Sequence, residues 1–243
     1  MSRLRESRKA MWLSATVVVF LCAIFAMATT KITSTANAAS TVFTPDKGKL
    51  IIQLDGQTVG NEQFELSQAG GEWVAKGITE ITLPGATATR VSGTLKLQPD
   101  GAPISYEWTS RADKTNGAHI TFSNGVAKIT LEMQGARPYE QDLTFNAPLI
   151  AVLDNNLYHQ YELLARMYDW SKRGTQTFPV LIPQDLTPGS ISVEATGAAS
   201  HEGKSYEGLR VTTSDLEVLL MLDANRRLMR LEVPSAKVSV VRE

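Results

Sequence analysis

Beyond Val42 the chain alternates apolar and polar residues in short runs separated by turn signals. Lys49–Leu54 ends at Asp55-Gly56, and Asn61–Ser67 ends at Gly70-Gly71. Glu72–Lys76 and Ile78–Leu83 follow, and Arg90–Leu97 ends at Pro99-Asp100-Gly101. Ile104–Ser110 ends at Thr115-Asn116-Gly117, Ala118–Phe122 ends at Asn124-Gly125, and Val126–Met133 comes next. A period of two sends alternate side chains to opposite faces of a strand, one toward a core and one toward water. Asn124-Gly125 is the strongest hairpin signal, because both residues accept the positive φ of a type I′ turn. Strands at this spacing predict an antiparallel sheet, closed or strongly curved.

Between Ala147 and Lys172 the period changes. This stretch has no glycine, and its one proline, Pro148, suits a first helical turn. At about 100° per residue, Ile150, Leu153, Leu157, Tyr161, Leu164 and Tyr168 fall within about 80° of one another. The pattern predicts one long amphipathic helix over about 147–172, ended at Gly174. His159, Glu162 and Arg166 lie on the opposite side, which reads as a solvated face with an ordinary i, i+4 ion pair. Strands resume at Thr177–Ile182, Ser190–Ala195, Ser205–Thr212, Leu216–Leu222, Leu228–Val233 and Lys237–Arg242. The fold class is therefore mainly β: a curved antiparallel sheet or open barrel clasping one long α-helix. Residues 39–243 read as a single β-rich domain, with a division near residue 146 into two β halves as the alternative.

The first residues follow a different pattern. Arg3, Arg5, Arg8 and Lys9 precede Ala10–Thr29, a run of 20 residues without a charge. A basic segment before an apolar one is an export signal, and Ala36-Asn37-Ala38 fits the small-x-small rule for its removal. Residues 1–38 thus read as a signal peptide cleaved after Ala38. The apolar run is also long enough to span a bilayer, so an uncleaved signal-anchor helix, touching the membrane through residues 10–29, is the other reading. Both readings export the domain: it is periplasmic or extracellular, or anchored to the inner membrane with the domain outside. Cys22 follows Leu21, which is too large for a lipoprotein box, so it reads as part of the apolar run.

This division changes the charge. The whole chain carries 24 basic and 25 acidic residues, net −1. Five basic residues and one acid lie within residues 1–38, so the remaining 205 residues carry 19 against 24, net −5, and no cysteine. A mildly acidic domain argues against nucleic acid as a partner, and stability without disulfides must come from core burial.

Candidate chemistry is sparse. His119, His159 and His201 are the three histidines, and no pair of them has metal-ligand spacing. His159 and Glu162 are spaced i, i+3, but no second such motif completes a di-metal site. There is no G-x-S-x-G elbow, no G-x-G-x-x-G and no phosphate-binding loop. Glu107, Glu132, Asp154, Glu162 and Asp215 carry no local signature of a paired-carboxylate site. The expectation is a protein without a catalytic centre, a metal or a cofactor. The most unusual stretch is Leu153–Tyr161, where Asp154, Asn155, Asn156, His159 and Gln160 crowd the front of an otherwise apolar helix. These groups read either as helix-start residues satisfying free N–H groups or as the mouth of a pocket between helix and sheet.

The combined pattern resembles uncharacterised exported bacterial β-rich families. It is carried by Asp55-Gly-Gln-Thr-Val-Gly60 followed by Glu62-Gln-Phe-Glu-Leu66, and by the closing segment Met221–Pro234. The resemblance implies a half-barrel similar in outline to periplasmic lipoprotein carriers, and it implies no catalytic residues. The leading functional expectation is an envelope protein that binds an apolar or amphiphilic small molecule between sheet and helix. The lining would be Leu153, Leu157, Tyr161, Leu164 and Tyr168, with Asp154, Asn156 and His159 at the mouth. The alternative is a structural or interaction module of the envelope that acts through a protein partner.

Overall fold

The computed structural model describes residues 41–184 and 186–243. The expected signal or anchor over 1–38, with its apolar run 10–29, lies outside the described residues. Among those described, no helix is long and apolar enough to cross a membrane.

Among the described residues fifteen strands form one sheet. The first eight are β1 (Asp46–Leu54), β2 (Gln57–Ala69), β3 (Glu72–Ile81), β4 (Thr89–Leu97), β5 (Pro103–Arg111), β6 (Thr115–Ser123), β7 (Val126–Met133) and β8 (Tyr139–Thr144). After a two-residue strand, β9 (Ala151–Val152), comes the helix α1 (His159–Met167). The remaining strands are β10 (Gln176–Ile182), β11 (Thr187–His201), β12 (Lys204–Thr212), β13 (Glu217–Leu222), β14 (Leu228–Val233) and β15 (Val238–Arg242). The expected strands 72–76 and 78–83 are one continuous strand, β3. The short edge strands β8 and β9 escape the sequence pattern because neither alternates clearly.

The spatial order is β8 to β1, then β15 down to β9. Every strand pairs antiparallel with its neighbour except β9, which runs parallel to β10. The strands before and after residue 146 thus form two wings of one sheet, joined where β1 pairs with β15, Leu50 opposite Arg242. The sheet is open: β8 and β9 are its edges. Near them, Phe145 and Asn146 share a surface cleft of about 320 Å³ with Pro179 and Pro188–Ser190 of the other wing. The turns are those the sequence indicates. Asp55 and Gly56 have φ of 50° and 78°, and Asn124 and Gly125 have 50° and 75°, the positive angles of a type I′ turn.

Alternation sets the inner face. On β1 it is Leu50 and Ile52; on β2 Glu62, Phe64 and Leu66; on β3 Trp73, Ala75 and Thr79; on β4 Val91, Leu95 and Leu97, all buried. Two clusters of buried residues meet on the helix. One, chiefly from β10–β15 and β1 with Phe64 of β2, takes in Leu164, Ala165 and Tyr168; the other, chiefly from β3–β8 with Leu66 of β2, Val152 of β9 and Leu181 of β10, takes in Leu157 and Leu163.

The helix corrects the sequence reading twice. It has nine residues rather than the length expected over 147–172. At its front, Val152 is drawn into the parallel β9–β10 pairing and Leu153 N–H donates to Leu181 O at 3.1 Å. The Asp154 carboxylate then accepts from Asn156 N at 3.2 Å, which makes a turn rather than a helical start. At its rear, Tyr168 is extended, with ψ 131°, and its hydroxyl donates to Gly174 O at 2.6 Å. The helix is also not amphipathic in its setting. His159, Glu162 and Arg166, expected in solvent, are 2%, 1% and 7% exposed. A helix lying between two wings of a sheet has no water-facing side, so its polar face must be satisfied by the strands.

Candidate functional site

The strands meet the polar side of the helix with charges of their own. Glu62 shares the inward face of β2 with Phe64 and Leu66 and is fully buried. Its Oε2 accepts from Tyr158 N at 2.7 Å and His159 N at 3.3 Å, and its Oε1 lies 2.5 Å from His159 Nδ1. A strand carboxylate therefore receives the free N–H groups at the start of α1, where the helix dipole favours negative charge. Beside it, Thr79 Oγ1 donates to Asn156 O at 2.6 Å. The His159 ring stacks on Phe64, with centroids 5.6 Å apart and planes 9° off parallel. On the other side of the ring, Nε2 has no hydrogen-bond partner among the described residues. Gly77 makes this seat: a Cβ there would stand 2.6 Å from His159 Cε1 and 2.8 Å from Glu62 Oε1. Gly93, opposite Gly77 in register, does the same for Leu157.

One turn along, Glu162 ties the helix to the other wing. Its Oε1 accepts from Arg166 Nη2 at 2.7 Å, and its Oε2 accepts from Leu228 N at 2.8 Å and Arg242 Nη1 at 3.3 Å. Arg242 closes on Asp46 with two bonds of 2.9 and 2.8 Å, and Arg166 donates to Thr44. Burial pushes Glu162 up to about 7 against the pull of Arg166. Burial acts on Asp46 in the same sense, but its hydrogen bonds to Arg242 and Glu162 outweigh it and hold the group below the usual range. A third set fixes the turn before the helix: Tyr106 donates to Asp154 Oδ2 at 2.7 Å, and Asp154 N donates to Gln160 Oε1 at 2.5 Å. Burial raises Asp154 despite the Tyr106 hydroxyl, and burial beside Asp154 raises Tyr106 as well.

The residues expected to line a pocket are thus together, but against one another. Leu153, Leu157, Leu164, Tyr168, Asp154 and His159 are buried, and Tyr161 and Asn156 are half-buried. The gap beside the helix, bordered by Leu95, Leu97, Leu153, Gln160, Leu163 and Met167, holds about 10 Å³, the space of a single water. Of the three histidines, His119 sits beside Glu107 at 3.2 Å with its side chain 53% exposed, and His201 lies at the tip of the β11–β12 hairpin. Among the described residues no three His, Asp or Glu side chains converge as a metal site.

Sequence reasoning missed Asp46, Glu62, Tyr106 and Arg242. The signal was present in the phase of each strand. Asp46 is in register with Leu50 and Ile52, Glu62 with Phe64 and Leu66, Tyr106 with Trp108, and Arg242 with Val240, so each lies on a core-facing row.

Comparison with known proteins places this architecture. The fold is similar to that of a β-barrel-like protein of the domain of unknown function DUF1849 from Brucella abortus. The TM-score is 0.54 at 11% identity, over 82% of this chain and 94% of that one. A DUF1089 family protein from Pseudomonas aeruginosa aligns over 72% of this chain and 90% of its own, with TM-score 0.47 and 9% identity. No protein-family model and no curated protein matches the sequence. The likeness to the Brucella abortus protein is one of fold: a mainly β, barrel-like architecture.

Proposed function

We propose that this chain is an exported, non-catalytic module of the cell envelope that acts through its outer surface on a protein partner. The observation that carries the reading is the packing of α1. The helix that would frame an interior site instead fills it, with about 10 Å³ to spare. Its polar groups are spent on fastening it to β1, β2, β14 and β15 rather than being presented to a substrate. The basic and uncharged segments of residues 1–38 support export, and with it an envelope location. The working surface is then the outer face of the sheet and its loops.

Photo-crosslinking in intact cells tests this. A photoreactive residue at Ile78, 40% exposed on the outer face of β3, is expected to yield one discrete adduct with an envelope protein. The same residue at Leu163, buried in the core, should yield none. Lipid extraction and mass spectrometry of the purified protein provides the opposing outcome. A stoichiometric apolar molecule that is still recovered from Val241→Trp, altered on the outer face, but lost from Leu157→Trp, altered between sheet and helix, would overturn the reading and restore an interior ligand.

A further inference from the structure

The longest strand, β11, and its partner β12 extend beyond the rest of their wing. The pairing of β12 with β13 begins only at Glu207, so the hairpin arm 198–206 runs free of the sheet's hydrogen bonding on that side. The register of β11 shifts between Ala195 and Gly197, a bulge in which Gly197 has φ of 88°. Bulges sharpen the local twist and bend the strand. The arm then passes over the outer face of the sheet: its tip residue His201 has Nε2 3.4 Å from Arg230 Nη1 on β14. Between arm and sheet lies a groove of about 580 Å³ that also reaches Ile51 on β1 and Val241 on β15. That is within the ~300–1,000 Å³ range of small-molecule sites.

The floor of this groove departs from the rest of the outer face. One cross-strand row runs Val241–Ile51–Asn61–Glu80–Arg90–Arg111 over β15, β1, β2, β3, β4 and β5. It is polar from β2 onward and apolar under the arm, where Met229 and Tyr206 adjoin Val241 and Ile51. An arm that served only to cover these side chains would pack on them, because protein interiors leave few voids larger than a water. Here the arm stands off and leaves room.

The rim has a sign. Glu243 is engaged by Lys49 at 2.5 Å, and Arg242 turns inward to Asp46 and Glu162. Arg230 uses Nε for Glu232 at 2.6 Å, leaving its Nη atoms toward His201 and the groove. Lys204 forms no ion pair among the described residues. Of the two acids that line the groove, Glu243 is the one paired to Lys49; the other, Glu202, has a side chain 81% exposed and stands 3.7 Å from His201.

We propose that this groove binds a single-chain amphiphile, its apolar chain on Ile51, Met229 and Val241 and its anionic head at Lys204 and Arg230. The site is independent of the protein partner proposed above, and its failure would leave that reading untouched.

Fluorescence titration of the full-length chain with cis-parinaric acid tests it. The wild type should bind saturably, and palmitate should displace the probe at least about tenfold better than hexadecanol, whose head is uncharged. Val241→Trp, which fills the groove from an outward position, should weaken binding at least about tenfold while leaving the circular dichroism spectrum unchanged. Lys204→Glu, fully at the surface, should weaken it by about fivefold, in line with one exposed charge. Binding by both variants at wild-type affinity would overturn the proposal and assign the signal to the apolar run 10–29. So would equal displacement by palmitate and hexadecanol, or no binding at all.

Discussion

Glu62 shows what a single side chain does in this fold. It is a carboxylate with no exposed surface, and such a group is tolerated only when its oxygens are filled. Tyr158 N, His159 N and His159 Nδ1 fill them. Removing it leaves two backbone donors and a ring donor buried without an acceptor, each costing ~1–3 kcal/mol. Glu62→Ala is therefore expected to lower the unfolding free energy by ~3 kcal/mol or more in urea titrations. Glu65→Ala, on the exposed face of the same strand, should change it by less than ~0.5 kcal/mol. Comparable losses at both positions would remove the special role given to Glu62. The same residue also shows why part of the site was legible and part was not. Its phase with Phe64 and Leu66 marks it as core-facing in the sequence alone. Nothing in the sequence shows which N–H groups it receives, because they arrive from about a hundred residues away.

At the scale of the element, the helix lies within the stretch whose period indicates it, but it is shorter and buried on its polar side as well. Period analysis detects which positions share a side, and Leu153, Leu157, Leu164 and Tyr168 are indeed buried. It cannot tell a helix against one surface from a helix between two, since the second case buries the polar side as well. Nor does it weigh the pull of a neighbouring strand, which converts Ala151–Val152 to β9. An isolated helix of nine residues is marginal in water, so this one exists through its surroundings. Amide hydrogen exchange should accordingly find Leu163–Met167 protected to the same degree as β1 and β3. Exchange at the rate of a frayed surface helix would show that the strands do not hold it. The strands themselves were read more fully, because turn pairs such as Asn124-Gly125 carry their geometry locally. The hairpin arm of β11 and β12 was not, since a bulge leaves only a faint mark in the alternation.

For the whole molecule, the buried acids set a pH profile of stability. Glu162 is raised from 4.5 to about 7, chiefly by burial. Between those values the folded chain holds a proton that the unfolded chain has released, so stability grows as pH falls through 7 toward 5. Asp154, also raised by burial, acts with the same sign. Asp46 is lowered, so its contribution is present above its ordinary value of 3.8 and is lost on further acidification. The melting temperature should peak near pH 5 and fall by several degrees by pH 8. Glu162→Gln should flatten the alkaline limb. A wild-type profile level from pH 5 to pH 8 would contradict this account.

The pairing of β1 with β15 has one more consequence, and it concerns the order of assembly. Glu243 N donates to Lys49 O at 2.9 Å, so the segment that follows β15 lies on β1. The natural order delays the central seam of the sheet until the final strand has emerged, and contacts between distant parts of a chain slow folding. Read as a ring, however, the strands run β9 to β15 and then β1 to β8, each beside the next. A circular permutant opened near Asn146, with Glu243 joined to Val42 by a short flexible linker, would be an antiparallel meander from β10 through β15 and β1 to β8, preceded by β9 and α1. It should refold faster than the natural chain in stopped-flow experiments while keeping its helix seated. The native connectivity would then be a late-closing version of a simpler loop.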